Sequence, residues 1–228
     1  MFRLYTILIG YAFGMIQTAY IMGKLKGIDI REHGSGNAGT TNTMRVLGTK
    51  AGLIVFLGDC LKCIAAILIC SLIFGHEQSS AMVSLIKIYA GLGAILGHNF
   101  PFYLGFHGGK GVACTAGMII SFDPWFTLAG VIIFFSIFFA THYVSLGSLC
   151  VYPYFLIMEI ILGQLGYFGA VSDVQMILFE MYFVTIGLLI LTVVMHRTNI
   201  KRLINHNEKK TYLSSKAKEK YLKEQANG

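Results

Sequence analysis

Long runs of apolar residues constrain the fold of this chain more than any other feature of its sequence. The first runs from about Leu4 to Met22 and the second from about Ala51 to Phe74. Each is long enough to cross the hydrocarbon core of a bilayer, which takes about 20 residues of helix. Further apolar runs lie at about residues 81–97, 112–121, 124–141, 146–165 and 174–195. The sequence therefore predicts an all-α integral membrane protein with seven transmembrane helices.

Composition and run length refine this prediction. Only 13% of the residues are charged, whereas soluble domains carry about 25%. The run at 112–121 is about half a spanning length, so we expect a short or tilted helix that uses the preceding loop as its first turn. We expect residues 1–200 to form one transmembrane domain and residues 201–228 to form a basic tail.

The distribution of lysine and arginine predicts how the chain is oriented in the membrane. Seven spans place the loops after spans one, three, five and seven on one side, together with nine Lys/Arg and three Glu from Arg197 onward. The linkers on the opposite side carry no lysine or arginine, and the only basic residue there is Arg3. Because basic residues concentrate in cytoplasmic loops, we expect the N-terminus outside and the C-terminus in the cytoplasm.

The basic tail is typical of a segment that lies against anionic lipid head groups or is solvated in the cytoplasm. Nucleic acid is a poor partner for this chain, because the rest of the sequence offers no basic stripe with interleaved aromatic residues.

A glycine-rich loop with one lysine interrupts the apolar runs at His98–Ala113, which we call cluster two. Lys110 lies there among Gly108, Gly109 and Gly111. Glycines allow the backbone to approach a phosphate closely with its N–H groups pointing inward as donors, and an ammonium group neutralises the phosphate charge. The loop is not a nucleotide-binding Walker A motif, because the required glycine and Ser/Thr positions are not filled and no strand precedes it. The alternative is a flexible loop with a lone interfacial lysine.

Two further polar segments fall on the same predicted side. Cluster one, Gly34–Gly52, combines glycines and Ser/Thr/Asn side chains with Arg45, whose planar guanidinium suits phosphate. The alternative interpretation of cluster one is a helix N-terminus capped by Thr or Asn, with Arg45 extending to the lipid head groups. In cluster three, His196–Glu208, a histidine could serve as a general base. The alternative there is a basic juxtamembrane helix.

A charged pair also lies inside the second apolar run. Asp59 and Lys62 are three residues apart and share a helix face. Charges inside a span are costly and are usually paired or functional. We expect a structural pair that positions cluster one, with a proton relay as the alternative.

Five segments in a fixed order carry a family resemblance. They are GSGNAGTTNTMR, GDCLK, GHNFPFYLGFHGGKGVA, YVSLGS and HRTNIKRLINHNE. Together they resemble the bacterial acyl-phosphate-dependent glycerol-3-phosphate acyltransferases, the PlsY family. The resemblance runs from the first span to Glu208 and leaves out the tail beyond about Lys210. The sequence departs from the family pattern at Met195, where arginine is frequent, and at Cys63 and His206, where glycine is usual.

The resemblance implies transfer of a fatty acyl group from acyl phosphate to the sn-1 hydroxyl of glycerol 3-phosphate, which gives lysophosphatidic acid and phosphate. The family uses neither acyl-CoA nor acyl carrier protein as donor and needs no cofactor and no metal. The implied setting is the cytoplasmic face of the bacterial inner membrane. The implied partners are acyl phosphate, glycerol 3-phosphate, membrane lipids and, transiently, an enzyme that produces acyl phosphate.

The resemblance also implies roles for individual residues. Catalytic roles fall to His196, Lys110 and Asn199. Lys110 and its glycines would hold one phosphate, and cluster one with cluster three would hold the other. The proton acceptor is either His196 or the phosphate group of the substrate itself, and both remain open. The implied substrate-binding residues are Ser35, Asn37, Thr41, Asn42, Arg45, Gly108, Gly109, Gly111, Ser145, Arg202 and Glu208.

Three rival functions were weighed against the sequence. Acyltransferases that use a His-x-x-x-x-Asp pair are excluded, because no histidine of the chain has an aspartate five positions later. A transporter of a phosphorylated metabolite would use the charges inside the second run, but the polar residues collect on one side only. A non-catalytic scaffold leaves the Ser, Asn, Lys, Arg and His clusters unexplained.

Overall fold

The structure, a computed structural model, describes residues 1–212. This part of the chain is helical and contains no strand. The part of the predicted tail after Tyr212 lies outside the described residues. The α-helices are α1 Phe2–Gly14, α2 Thr18–Leu25, α3 Thr40–Leu47, α4 Thr49–Phe74, α5 Ser80–Asn99, α6 Val112–Phe122, α7 Pro124–Thr141, α8 Val144–Gln164, α9 Val171–Met195 and α10 Arg197–Ile204.

Six helical segments of the described chain are long and apolar enough to cross a membrane. They are Phe2–Leu25, Thr49–Phe74, Ser80–Leu104, Pro124–Thr141, Val144–Gln164 and Val171–Met195. The predicted all-helical membrane fold is confirmed. The count of seven spans stays a prediction, because α6 has 11 residues and is therefore only about 16 Å long.

Although short, α6 leads the chain away from the polar end of the helix bundle, where Lys110 lies. Lys110, just before α6, donates a hydrogen bond to Asn199, just after α9. The last residue of α6, Phe122, accepts a hydrogen bond from Lys87 Nζ near the start of α5 at 3.0 Å. The helix ends there because Asp123 caps α7 and Pro124 begins it. An α6 that crossed the membrane would be the seventh span, and this count remains the prediction made from the sequence.

The first span is broken, where the sequence predicts one continuous run. α1 ends at Gly14, and α2 begins at Thr18. The buried Gln17 amide donates to the His98 carbonyl at 3.0 Å, and the freed Ile16 carbonyl accepts from Lys62 Nζ at 2.5 Å. A break at membrane depth is tolerated when the protein itself satisfies the freed backbone groups.

Small residues bring α1 against α5 near this break. A Cβ on Gly10 would lie 2.2 Å from the Ala90 carbonyl oxygen, and one on Gly14 would lie 2.2 Å from that of Ala94. Helices in membranes approach closely through such residues, because packing rather than a hydrophobic driving force holds them together. The α1–α5 pair fixes the end of α5, from which cluster two begins.

Candidate functional site

The polar clusters meet at one end of the bundle. Lys110 of cluster two donates to Asn199 Oδ1 of α10. Asn199 Nδ2 in turn donates to Glu208 Oε1 at 2.6 Å, and Ser145 Oγ donates to the same oxygen at 2.8 Å. One chain of hydrogen bonds therefore joins cluster two, cluster three and the first turn of α8.

Glu208 is the central acceptor of this assembly. Its second carboxylate oxygen accepts from Arg202 Nε at 2.9 Å. Burial pushes the pKa of Glu208 upward, but the hydrogen bonds from Asn199, Ser145 and Arg202 outweigh burial and hold the pKa below its ordinary value. The carboxylate is therefore ionised and offsets part of the positive charge around it.

The chain reaches Glu208 by a tight turn after α10. His206 has φ +55°, a left-handed conformation that favours glycine. The turn is closed by the Asn207 N–H, which donates to the Arg202 carbonyl at 2.7 Å. Glu208 thus makes its contacts although a histidine, and not glycine, occupies this left-handed position.

Lys110 is the cation of cluster two, and it is only partly exposed. Burial and, to a smaller extent, the nearby Arg202 together lower its pKa to about 8, although Glu208 opposes the shift. The ammonium form still predominates at pH 7. A bound phosphate would favour that form, because an opposite charge stabilises it.

His196 lies at the junction of α9 and α10 and is 2% exposed. Its Nδ1 is 2.9 Å from the Thr192 carbonyl oxygen. A carbonyl only accepts hydrogen bonds, so we assign the ring proton to Nδ1 and leave Nε2 as an acceptor. Burial lowers the pKa of His196 to about 4, against a smaller opposing effect of the Thr192 hydrogen bond. The ring is therefore neutral at pH 7.

Arg45 approaches the same site from α3. Its guanidinium donates to the Lys209 carbonyl at 3.2 Å and to Thr211 Oγ1 at 3.3 Å. The segment after Glu208 also contacts the turn between α7 and α8, because the Thr211 N–H donates to the His142 carbonyl at 2.9 Å. The predicted boundary after residue 200 stays a prediction, but α10 runs through it and residues to 212 contact α3 and the start of α8.

The other predicted residues of cluster one differ in their contacts. Asn42 is buried and holds the loop before α3, since it accepts from the Ser35 N–H at 2.7 Å and donates to the Ile30 and His33 carbonyls. Ser35 itself is exposed. Within the described residues, Asn37 and Thr41 make no hydrogen bond to clusters two and three.

The glycines of cluster two shape the loop more than they supply donors. The N–H groups of Gly108 and Gly109 already donate to the Asn99 and His98 carbonyls, both at 3.1 Å, so they are not the free donors that the sequence analysis expected. Gly111 has φ +77° and precedes α6 without a side-chain cap. The unpaired N–H groups of the first turn of α6 therefore lie next to Lys110 and favour an anion there.

Two residues at the end of α5 were missed in the sequence analysis. His98 Nδ1 lies 2.9 Å from Lys62 Nζ. Asn99 is 2% exposed, and neither atom of its amide has a hydrogen-bond partner. The available signal was two consecutive polar residues in the last turn of an apolar helix. The Asp59–Lys62 pair also differs from expectation, because Lys62 contacts His98, the first residue of cluster two, rather than cluster one.

Comparison with known proteins now identifies the family. A sequence profile described as "Glycerol-3-phosphate acyltransferase" matches residues 4–206. The chain belongs to the glycerol-3-phosphate acyltransferase family. The family resemblance seen in the sequence motifs is thereby confirmed, and the matched region contains every predicted site residue except Glu208, two positions beyond its end.

Individual relatives in the glycerol-3-phosphate acyltransferase family align over nearly their whole length. The glycerol-3-phosphate acyltransferase of Clostridioides difficile (strain 630) is 38% identical over 210 residues, which are 89% of this chain and 92% of that protein. The one from Thermoanaerobacter sp. (strain X514) is 36% identical over 211 residues, 92% and 96% of the two chains.

Solved structures of a family member share the fold. PlsY (YgiH), described as an integral membrane glycerol 3-phosphate acyltransferase, has been crystallised in a glycerol 3-phosphate form and a lysophosphatidic acid form. The two match with TM-scores of 0.77 and 0.75 at 31% identity, over 92% of this chain and 96% of that chain. This chain is accordingly a multi-pass membrane protein of the acyltransferase family.

Proposed function

We propose that this acyltransferase moves a fatty acyl group from acyl phosphate to the sn-1 hydroxyl of glycerol 3-phosphate and releases lysophosphatidic acid and inorganic phosphate. One observation carries the proposal. Lys110, Arg202 and Arg45 converge with the start of α6 on one polar site at the end of an otherwise apolar bundle. Two phosphorylated substrates require such a concentration of cations, and the acyl chain can stay in the bilayer. The two crystal forms of PlsY name glycerol 3-phosphate and lysophosphatidic acid.

The two phosphates would occupy neighbouring positions. Lys110 and the first turn of α6 hold one of them, with Gly108, Gly109 and Gly111 setting the shape of the loop. Ser35, Arg45 and the polar residues of α10 hold the other. Glu208 offsets part of this positive charge through its hydrogen bond from Arg202, so a substrate phosphate would share or replace its contacts.

The chemical step needs no covalent enzyme intermediate, because a mixed anhydride is already activated and phosphate leaves readily. The sn-1 hydroxyl oxygen attacks the acyl carbonyl carbon, and the bond from that carbon to the phosphate oxygen breaks. His196 Nε2 accepts a hydrogen bond from the attacking hydroxyl. Since the pKa of His196 is about 4, the leaving phosphate is the better final acceptor of the proton. Catalysis then rests on alignment and charge stabilisation.

Asn199, Ser145 and Asn42 have supporting roles in this proposal. Asn199 and Ser145 connect Lys110 to Glu208 and so orient the catalytic cation. Asn42 fixes the loop that presents Ser35. Asn37 and Thr41 are proposed to contact substrate from cluster one.

Location follows from the charge distribution and the path of the chain. We place the polar site at the cytoplasmic face of the bacterial inner membrane, with the N-terminus outside and the basic tail in the cytoplasm. Seven crossings are proposed, with α6 as the short one. An enzyme that produces acyl phosphate would meet the protein at this face.

The proposal is tested by supplying different acyl donors to the purified protein in lipid. Acyl phosphate with glycerol 3-phosphate should give lysophosphatidic acid and one equivalent of phosphate, and the rate should persist in EDTA. Acyl-CoA and acyl carrier protein thioester, at the same concentration, should give none. Product formed only from acyl-CoA would overturn the proposed donor.

A further inference from the structure

A charged cluster lies buried within the spans beside the proposed site. Lys62 and Asp59 come from α4, and His98 comes from α5. Their exposed fractions are 6%, 1% and 3%. Removing such charges from water is costly unless each is paired, and inside a membrane such groups are usually functional. We therefore expect this charged cluster to do more than hold two helices together.

Lys62 uses all of its donors in this cluster. Its ammonium group contacts the Ile16 carbonyl at 2.5 Å, Asp59 Oδ1 at 2.8 Å and His98 Nδ1 at 2.9 Å. An ammonium group has three N–H bonds and no lone pair, so His98 Nδ1 must be the acceptor. The ring proton of His98 then lies on Nε2. Lys62 thus fixes the orientation and the tautomer of His98.

The other edge of His98 supports the glycine loop. A Cβ on Gly109 would lie 2.1 Å from His98 Nε2, so the Gly109 backbone rests directly on the ring. The Gly109 N–H also donates to the His98 carbonyl at 3.1 Å. Lys110 is the next residue along the chain. A shift of the His98 ring would therefore displace the backbone that carries Lys110.

We propose that Lys62 and Asp59, acting through His98, are positioning residues that set the place of Lys110 in the active site. The proposal rests on the function proposed above for Lys110. Neither Lys62 nor Asp59 touches cluster three. Their effect passes through the His98 ring to the Gly109 backbone, and a misplacement of about 1 Å at a reacting centre can reduce a rate about 100-fold.

A matched control is available on the same helix. Lys87 is a lysine within the α5 span that lies 11 residues before His98 and donates to the Phe122 carbonyl at 3.0 Å. Lys87→Met removes an in-span lysine and its hydrogen bond without touching the site. If lysines within the spans only hold the bundle together, Lys62→Met and Lys87→Met should behave alike.

The experiment compares Lys62→Met, the double variant Asp59→Asn with Lys62→Met, and Lys87→Met. The double variant leaves no unpaired buried charge and is expected to fold. Amide hydrogen exchange is measured by mass spectrometry on peptides covering residues 105–111, in detergent and without substrate. We expect exchange there to be about tenfold or more faster in both Lys62 variants, because the Gly109 amide loses its support, and unchanged in Lys87→Met. The kcat/KM with acyl phosphate should fall about 10- to 100-fold in the Lys62 variants.

Three results would overturn the proposal. They are wild-type exchange at residues 105–111 in the double variant, the same increase in Lys87→Met, and failure of both Lys62 variants to fold while Lys87→Met folds. The exchange measurement needs no substrate, so it is independent of the proposed function. A wild-type protein inactive with acyl phosphate would refute that function and leave the exchange result to decide whether Lys62 and Asp59 position the loop.

Discussion

Lys110 combines positive charge with partial burial, and this combination makes its protonation state sensitive to pH in the physiological range. Its neighbours include two cations, Arg202 and Arg45, as well as the carboxylate of Glu208. A lysine alone in water would stay charged well beyond pH 9. Here the same side chain is half deprotonated at about pH 8, so the charge at the proposed phosphate position depends on pH.

We therefore expect kcat/KM for glycerol 3-phosphate to fall as the pH rises above about 8, because the free protein loses the Lys110 ammonium there. Lys110→Arg should remove this fall, since a guanidinium keeps its charge. Lys110→Ala should lower kcat/KM about 100-fold or more. The measurement is a pH–rate profile of the three proteins between pH 6 and about 9.5. An alkaline fall retained in Lys110→Arg would assign it to another group.

His196 separates the two candidate proton acceptors. If the substrate phosphate takes the proton, His196→Gln should keep a hydrogen bond to the hydroxyl and lose only about 10-fold in kcat, whereas an essential general base contributes about 100-fold to 10,000-fold. The rates are measured under saturating substrate across pH. A loss of about 1,000-fold or more, with a new dependence on added imidazole, would make His196 the base.

At the level of elements, α10 and the turn after it complete the site. α10 begins where α9 ends at the membrane boundary and carries Asn199 and Arg202 on one face. The turn then brings Glu208 back to both side chains and to Ser145 on α8. A helix of eight residues is marginal alone in water, so these contacts hold it in place.

Glu208→Ala should loosen this element. The substitution removes the acceptor of Asn199, Ser145 and Arg202. Ser145 is buried, and an unsatisfied buried group costs about 1–3 kcal/mol, whereas Asn199 and Arg202 are partly exposed and can turn to water. We expect a lower thermal unfolding temperature in detergent and a loss of activity. Glu77→Ala serves as the control, because Glu77 is a fully solvated carboxylate in the α4–α5 linker. Equal unfolding temperatures for the two variants would contradict the role given to Glu208.

α6 shows how an element can be short and still decide topology. Its 11 residues do not reach across a hydrocarbon core of about 30 Å. It connects Lys110 at the site to Phe122, whose carbonyl accepts a hydrogen bond from Lys87 of α5. If α6 is the seventh crossing, the loop before it must enter the membrane below the ends of the longer helices.

At the level of the whole molecule, every polar cluster lies at the same end of the bundle. The contacts from Lys110 to Asn199 and from Ser145 to Glu208 require this arrangement whichever way the protein faces. Orientation in the membrane rests on charge alone, because basic loops remain in the cytoplasm.

The orientation is tested with single cysteines placed at the two ends. Lys50 is exposed in the first turn of α4, and Gln78 is exposed in the linker between α4 and α5. The two variants are Lys50→Cys and Gln78→Cys. In right-side-out vesicles a membrane-impermeant maleimide should label Gln78→Cys and not Lys50→Cys, and inverted vesicles should give the opposite result. The wild-type protein gives the background, since Cys150 is its one partly exposed thiol within residues 1–212. Labelling of Lys50→Cys in right-side-out vesicles would reverse the topology.

The sequence alone determined the helical membrane fold and the family. Its motifs also contain the side chains that the structure joins by hydrogen bonds, namely Lys110, Asn199, Ser145, Arg202 and Glu208. Long apolar runs and ordered motifs are local patterns, so they can be recognised without knowing which helices touch. Run lengths also indicated that the segment at 112–121 is short.

The tertiary structure alone decided which polar groups are free and which are already used. Gly108 and Gly109 were expected to offer N–H donors, yet both amides are bonded to the end of α5. Lys62 was expected to serve cluster one, yet it holds His98, the first residue of cluster two. The break at Gln17 was invisible in an apolar run. These outcomes depend on contacts between residues far apart in the chain, which no local pattern of apolar and polar residues encodes.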